Sequence, residues 1–115
     1  MTPGEFSDGV ALAKAVEGQE YIFHLMGSLN PASSNLDPAA EFAAGLLNTV
    51  RLLDIARSEG THKVIFVSSG GTVYGPAQSI PIPETAPTDP ISAYWINKLA
   101  IEKCLSLYRH LYGVN

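Results

Sequence analysis

Residues 63–71 read KVIFVSSGG, a short apolar run rich in β-branched side chains that ends in two serines and two glycines. A run of this kind is typical of a strand that is buried on both faces of a parallel sheet. A second such run, YIFHLMG, lies upstream at residues 21–27 and also ends in glycine. The two runs predict two parallel strands, each with a turn at its carboxyl end.

Helix signals separate and flank the two strands. Between them, Asp37 is a good N-cap with Pro38 at the first helical position, and Gly60 ends the predicted helix. A helical signal over 9–17 and a longer one over 92–112, ended by Gly113, complete the order αβαβα. The apolar residues of the middle helix are expected on one buried face, namely Phe42, Leu46, Val50 and Leu53.

This alternation of helices and strands predicts the α/β class, with a doubly wound parallel sheet and right-handed crossovers. Two strands give such a sheet almost no interior, yet both runs carry side chains fit for burial on two faces. We therefore expect the chain to be a fragment of a larger sheet, with partner strands outside it.

Composition narrows the range of partners. The chain has 115 residues and a net charge of -4, so it offers no cationic surface to a phosphate backbone, and we expect no nucleic-acid partner. No apolar run is long enough to span a membrane, and the first residues lack a signal-peptide pattern; both observations predict a cytoplasmic protein with no membrane partner. Cys104 is the single cysteine, and no metal site is expected.

Tyr94 and Lys98 are the first candidate catalytic residues. Their i, i+4 spacing puts both side chains on one face of the 92–112 helix. Phenols titrate near a pH of about 10, but a neighbouring ammonium favours the anionic form, so the pair is a candidate general base. The same spacing also suits a tyrosine packed on the sheet beside a snorkelling lysine.

Hydroxyl groups follow the second strand, where doubly wound folds bind their ligands. Ser68, Ser69 and Thr72 lie at or just after the carboxyl end of this strand, and we expect hydroxyls of this turn to bind the substrate oxygen that Tyr94 contacts. Gly70-Gly71 on its own fits a strand-ending turn. The Pro-rich segment 76–90 is expected to be an ordered connection, since proline suits neither helix interiors nor central strands.

Taken together, residues 67–75 (VSSGGTVYG) followed by Tyr94 and Lys98 resemble the extended short-chain dehydrogenase/reductase family, specifically its NAD-dependent nucleotide-sugar epimerases and dehydratases of the UDP-glucose 4-epimerase type. The resemblance runs from about Gly4 to Gly113. It implies a Rossmann-like domain that binds NAD and carries out reversible hydride transfer on a nucleotide-sugar. It also implies that residues 1–115 are the middle part of that domain, without the N-terminal Gly-rich motif and the C-terminal substrate-binding part. The chain alone is therefore expected to be inactive.

By this resemblance, Tyr94 is the catalytic base, and Lys98 promotes the phenolate and holds the nicotinamide ribose. The family usually has Ser or Thr where Gly70 stands. We expect the missing hydroxyl to come from Thr72, which shares strand parity with position 70, and in second place from Ser69. Dehydratases of the family carry an Asp-Glu pair directly after the catalytic Thr, and this chain has no carboxylate there. Epimerase is thus favoured over dehydratase.

The resemblance also implies a set of cofactor-binding residues. One segment touches adenine and has Glu5 where the family usually has Asp, and one turn passes under the cofactor. The family places a cofactor-region Asn where Gly45 stands, a Gly at Asn48 and commonly a Ser at Asn97, so the sequence departs from the pattern there. Besides Tyr94 and Lys98, the set comprises Glu5, Phe6, Leu25, Met26, Gly27 and Ser68.

A second hypothesis is a catalytically inactive fragment that acts as a dimerisation or binding module. The predicted 92–112 helix is apolar nearly all round, which suits burial against both a sheet and a partner. By the resemblance, helices 38–59 and 92–112 form a homodimer interface in the complete enzyme. His24, at the end of the first strand, is expected to be a buried, hydrogen-bonded histidine rather than a ligand.

Overall fold

The computed structural model describes residues 4–26, 33–71 and 73–115, and a pair of parallel strands organises them. Strand β1 (Tyr21–His24) pairs with β2 (Lys63–Phe66), with Tyr21 opposite Lys63 and His24 opposite Phe66. Both strands therefore end at the same edge. The helices are α1 (Gly9–Val16), α2 (Pro38–Phe42), a π-helical segment (Ala43–Leu47), α3 (Asn48–Ser58) and α4 (Ala93–Tyr112). The predicted α/β class and the order αβαβα are confirmed.

Local capping signals set most helix ends. Asp37 accepts a hydrogen bond from the Ala40 amide at 3.0 Å, with Pro38 in the first turn of α2. Ser92 accepts one from the Trp95 amide at 3.2 Å and begins α4, and Gly113, at φ 73°, ends it. A left-handed residue of this kind is cheap only for glycine. The predicted caps at Asp37 and Gly113 are thus confirmed.

The middle helix differs from the prediction. A π-helical segment interrupts what was expected to be one regular α-helix, and a π turn holds more residues than an α turn. Consequently the expected buried face is wrong in its first half, where Phe42 and Leu46 are only half-buried. The residues that are buried instead are Glu41, Gly45, Asn48, Thr49, Leu52, Leu53 and Ala56.

The hydrophobic core lies on one face of the strand pair. It joins residues from α1, α3, β2 and α4 and from the C-terminal segment, namely Val16, Leu52, Leu53, Ala56, Val64, Tyr108 and Val114. Burial of both strand faces, as expected from the sequence, is not found: Tyr21 and Phe23 are 54% and 67% exposed. Alternation along the strand points them away from the face that the helices cover within the described residues.

No described helix is both long and apolar enough to cross a membrane.

Candidate active site at the carboxyl ends of the strands

Tyr94 and Lys98 lie side by side on α4, as their helical spacing predicts, and Lys98 contacts the end of β2. The Lys98 ammonium donates a hydrogen bond to the carbonyl oxygen of Val67 at 3.2 Å. Its Nζ lies 4.7 Å from the ring centroid of Phe66 and 5.8 Å from that of Tyr94. The Tyr94 amide in turn donates to the Ser34 hydroxyl at 3.3 Å. The start of α4 is thus tied both to the strand end and to the segment before α2.

Lys98 is a buried charge. Its side chain is only 7% exposed, and the loss of water lowers the pKa of its amine, while the negative charge of Glu41 opposes that effect. The carboxylate of Glu41 is therefore part of the electrostatic surroundings of the Tyr94–Lys98 pair. Nothing in the sequence pattern singles out Glu41, because it lies in a different helix, far from Lys98 along the chain.

His24 lies on the covered face of β1, next to this pair. Its Nε2 is 2.8 Å from the Thr49 hydroxyl, and that hydroxyl donates its one hydrogen to the Gly45 carbonyl at 2.8 Å. Nε2 must therefore be the donor to Thr49. Burial, and then the charge of Lys98, lowers the pKa of His24 to about 4, so the ring is neutral at physiological pH. The expectation of a buried, hydrogen-bonded histidine is confirmed.

The hydroxyl turn after β2 is tied to α4 by Ser68. Its hydroxyl donates to the Oε1 atom of Glu102. Glu102 was not predicted, although it follows Lys98 by four residues and thus shares the helix face of Tyr94 and Lys98. Ser69 is half-buried, and its carbonyl accepts a hydrogen bond from the Val73 amide at 3.3 Å. Thr72, the first choice for the missing hydroxyl, lies outside the described residues.

Three of the predicted cofactor residues meet in one hollow. Glu5, Phe6 and Met26 line a space of about 130 Å³ together with residues of α1. Glu5 is exposed at its rim, and Leu25 is exposed beside Met26. The remaining residue of that predicted turn, Gly27, lies outside the described part of the chain.

A stack of aromatic rings connects this hollow to the Tyr94–Lys98 pair. The ring centroids of Phe6 and His24 are 5.3 Å apart, and those of His24 and Phe66 are also 5.3 Å apart. Lys98 then lies over the Phe66 ring. A chain of ring contacts, partly buried at His24, therefore joins the residues near the N-terminus to the Tyr94–Lys98 pair. It runs at the carboxyl ends of the strands, the edge where open α/β sheets bind ligands.

Potential metal ligands do not gather at this edge. Within residues 4–26, 33–71 and 73–115, no group of three or more His, Cys, Asp or Glu side chains is close enough together to hold a metal ion.

A sequence profile of the NAD dependent epimerase/dehydratase family matches residues 1–115. The chain belongs to this family. NAD is the cofactor of this family, and the resemblance of the chain to the extended short-chain dehydrogenases/reductases is confirmed. Its sheet is part of the Rossmann-type fold of its structural neighbours.

Individual relatives in the family are nucleotide-sugar epimerases. A UDP-glucose 4-epimerase of Mycolicibacterium smegmatis is 40% identical over 96 residues, which are 84% of this chain and 31% of the relative. The UDP-glucose 4-epimerase of Thermus thermophilus in complex with NAD superposes with a TM-score of 0.90 at 29% identity, covering 98% of this chain and 37% of that one. That of Thermotoga maritima with UDP-glucose gives 0.89 at 31% identity, covering 96% and 37%. The chain thus spans about a third of the length of the relatives it matches.

Proposed function

We propose that this chain carries the acid/base pair of an NAD-dependent nucleotide-sugar epimerase of the UDP-glucose 4-epimerase type. The observation that supports this most strongly is the Tyr94–Lys98 pair, held against the end of β2 by the bond from Lys98 to the Val67 carbonyl, in a chain that matches the epimerase/dehydratase family along its whole length.

Tyr94 acts as the base in this proposal. Its phenolate accepts the proton of the sugar hydroxyl as the carbonyl forms, and its phenol returns a proton when the carbonyl is reduced. The Lys98 ammonium lies near the Tyr94 ring and favours the phenolate by opposite charge. NAD, when bound, would supply the reversible hydride transfer that inverts the sugar carbon, and Lys98 would hold its nicotinamide ribose.

In this proposal the hollow beside α1 receives one end of the cofactor. Phe6 and Met26 offer apolar contacts, and the Glu5 carboxylate at the rim offers an acceptor for the amino or hydroxyl groups of a nucleoside. Leu25, Gly27 and Ser68 complete the proposed cofactor-binding set, and the ring stack from Phe6 to Phe66 connects it to Lys98. The proposed substrate is a nucleotide-sugar.

The missing hydroxyl at Gly70 gives a first test of this site. We propose Thr72 as the donor to the reacting oxygen and Ser69 as the alternative. The test uses a chimera in which this chain replaces the matched segment of the M. smegmatis enzyme. Thr72→Val should lower turnover there by about 100-fold, the usual loss for one such donor, whereas Ser69→Ala should not. If Ser69→Ala lowers turnover and Thr72→Val does not, Thr72 is excluded as the hydroxyl donor and Ser69 takes that role.

Lys98 provides the test of the proposed function itself. In the same chimera, Lys98→Met keeps the apolar stem but removes the charge and the ribose contact, so both turnover and NAD affinity should fall. Lys103→Met is the matched control, because Lys103 is an exposed residue of the same helix. Equal values of kcat and of the NAD dissociation constant in the two variants would contradict the proposal.

A homodimer through the 38–59 and 92–112 helices is the proposed assembly. The supporting observation is a set of exposed apolar side chains on α4, where Ile96, Leu107 and Leu111 are 43%, 49% and 54% exposed. The same side chains favour the second candidate function, a dimerisation module without catalysis. Turnover of the complete chimera with UDP-glucose distinguishes the two: a segment that carries the acid/base pair supports epimerisation, and a module that only dimerises does not.

A further inference from the structure

A buried polar cluster lies directly behind the Tyr94–Lys98 pair, and none of its members was predicted as a site residue. Asn97 precedes Lys98 in α4, and its side-chain nitrogen donates both to the Glu41 carbonyl at 2.9 Å and to the Glu41 carboxylate at 2.8 Å. Glu41 is fully buried and Asn97 is 1% exposed.

Gly45 provides the space that the Asn97 side chain occupies. A β-carbon built at position 45 would lie 2.9 Å from Cγ and 3.0 Å from Oδ1 of Asn97, and would overlap its Nδ2. Any other residue at position 45 would therefore displace the amide. The absence of a side chain at position 45 therefore leaves the Asn97 amide free to reach Glu41.

Glu41 is the one fully buried carboxylate among the residues that the structure describes. A buried carboxylate is costly unless it is hydrogen-bonded and faces a positive charge. The Asn97 amide supplies hydrogen bonds, and Lys98, the residue next to Asn97, is near enough for the negative charge of Glu41 to raise its pKa against the effect of burial. Lys98 is itself buried, so its ammonium likewise needs a nearby negative charge.

The other titratable groups around Lys98 cannot replace Glu41. His24, from β1, is neutral, because burial holds its pKa near 4. Glu102, one turn further along α4, is only half-buried and accepts the Ser68 hydroxyl. Tyr94 is the group that the pair is proposed to activate. Glu41 is thus the buried negative charge that takes no direct part in the proposed reaction.

We propose that Glu41 is a positioning residue: its carboxylate, held by the Asn97 amide that fills the space beside Gly45, is the buried counter-charge that favours the protonated form of Lys98. The consequence for catalysis rests on the function proposed above. The electrostatic interaction between Glu41 and Lys98 does not rest on that function, because it is a property of the folded chain alone.

The test is a titration of the lysine side chains by NMR in the chain itself, with ¹⁵N- and ¹³C-labelled lysine. Glu41→Gln keeps the shape and an oxygen for Asn97 but removes the charge. The Lys98 ammonium should then lose its proton at a pH lower by roughly one unit, the usual effect of one nearby opposite charge. Lys14, Lys63 and Lys103 serve as internal references and should not change, and Glu59→Gln, at an exposed carboxylate, is the matched control.

An unchanged Lys98 titration in Glu41→Gln, or an equal change in Glu59→Gln, overturns the proposal. If Glu41→Gln alone does not fold, adding Lys98→Met should restore cooperative thermal unfolding, since no uncompensated buried charge then remains. If the double variant also fails to fold, the proposed role of Glu41 as the counter-charge of Lys98 is contradicted. Neither measurement requires catalysis, so failure of the epimerase assay and failure of this proposal are distinguishable.

Discussion

Gly45→Ala is expected to destabilise the chain, against the usual effect of this substitution. Replacing glycine by alanine inside a helix ordinarily stabilises a protein by roughly 0.5–1 kcal/mol, because alanine loses less backbone entropy on folding. Here the new methyl group meets Asn97, with 2.9 Å to its Cγ. Asn97 is buried and cannot move away without losing its bonds to Glu41.

The size of the effect follows from these two opposing contributions. Overpacking in a well-packed interior costs about 1–3 kcal/mol, and a lost buried hydrogen bond costs about 1 kcal/mol more. After the entropic gain is subtracted, the free energy of unfolding should fall by about 2 kcal/mol. For a domain of this size, that is roughly an 8 °C decrease in Tm.

The assay is urea and thermal unfolding followed by circular dichroism, in a double-mutant cycle with Asn97→Ser. With serine at position 97 the space is open, so adding Gly45→Ala should be neutral or stabilising, and the coupling between the two sites should be about 2 kcal/mol. Gly9→Ala is the control, because a β-carbon on Gly9 meets nothing within 4 Å. If Gly45→Ala behaves like Gly9→Ala, or if the cycle is additive, the packing explanation is wrong.

Two further predictions concern buried titratable groups. The pKa of His24 is lowered from 6.5 to about 4, so His24 binds a proton more readily in the unfolded chain than in the folded one. The folded state therefore keeps its full stability above about pH 6.5 and loses stability as the pH falls towards 4. The free energy of unfolding should fall by up to about 3 kcal/mol over this range. Urea unfolding across this range should show that loss in the parent chain and a weaker pH dependence in His24→Gln; parallel curves would refute it. The Tyr108 hydroxyl donates to Asp54 at 2.8 Å and connects α4 to α3, and burial together with this bond raises the pKa of Tyr108 to about 12. Tyr108→Phe should therefore cost about 1.5 kcal/mol in chemical denaturation, while Tyr112→Phe, in the exposed last turn, should cost little; similar losses in both would remove the role assigned to the bond.

The features that the sequence predicted are those that depend on neighbouring residues along the chain. The cap at Asp37, the helix start at Ser92 and the stop at Gly113 act within one turn, and the i, i+4 spacing of Tyr94 and Lys98 is a property of any helix. Each of these could be recognised without knowledge of the tertiary contacts.

The features that the sequence did not predict depend on contacts between distant elements. The π-helical segment contains Gly45, whose environment is set by Asn97, far along the chain. Glu41 and Glu102 carry no signal in the sequence pattern, because their partners Asn97 and Ser68 lie on other elements. Burial of a charged residue is decided by the groups that surround it, and the pattern along one helix does not record them.

The central claim is that Tyr94 is the acid/base group of an NAD-dependent epimerase. The most direct test is the turnover of the chimera with UDP-glucose at saturating NAD, with Tyr94→Phe compared with Tyr112→Phe. Loss of the phenol oxygen should lower kcat at least about 100-fold, as is typical of a lost general base, while NAD stays bound and Tyr112→Phe retains parental turnover. A Tyr94→Phe chimera that turns over at the parental rate would contradict the claim.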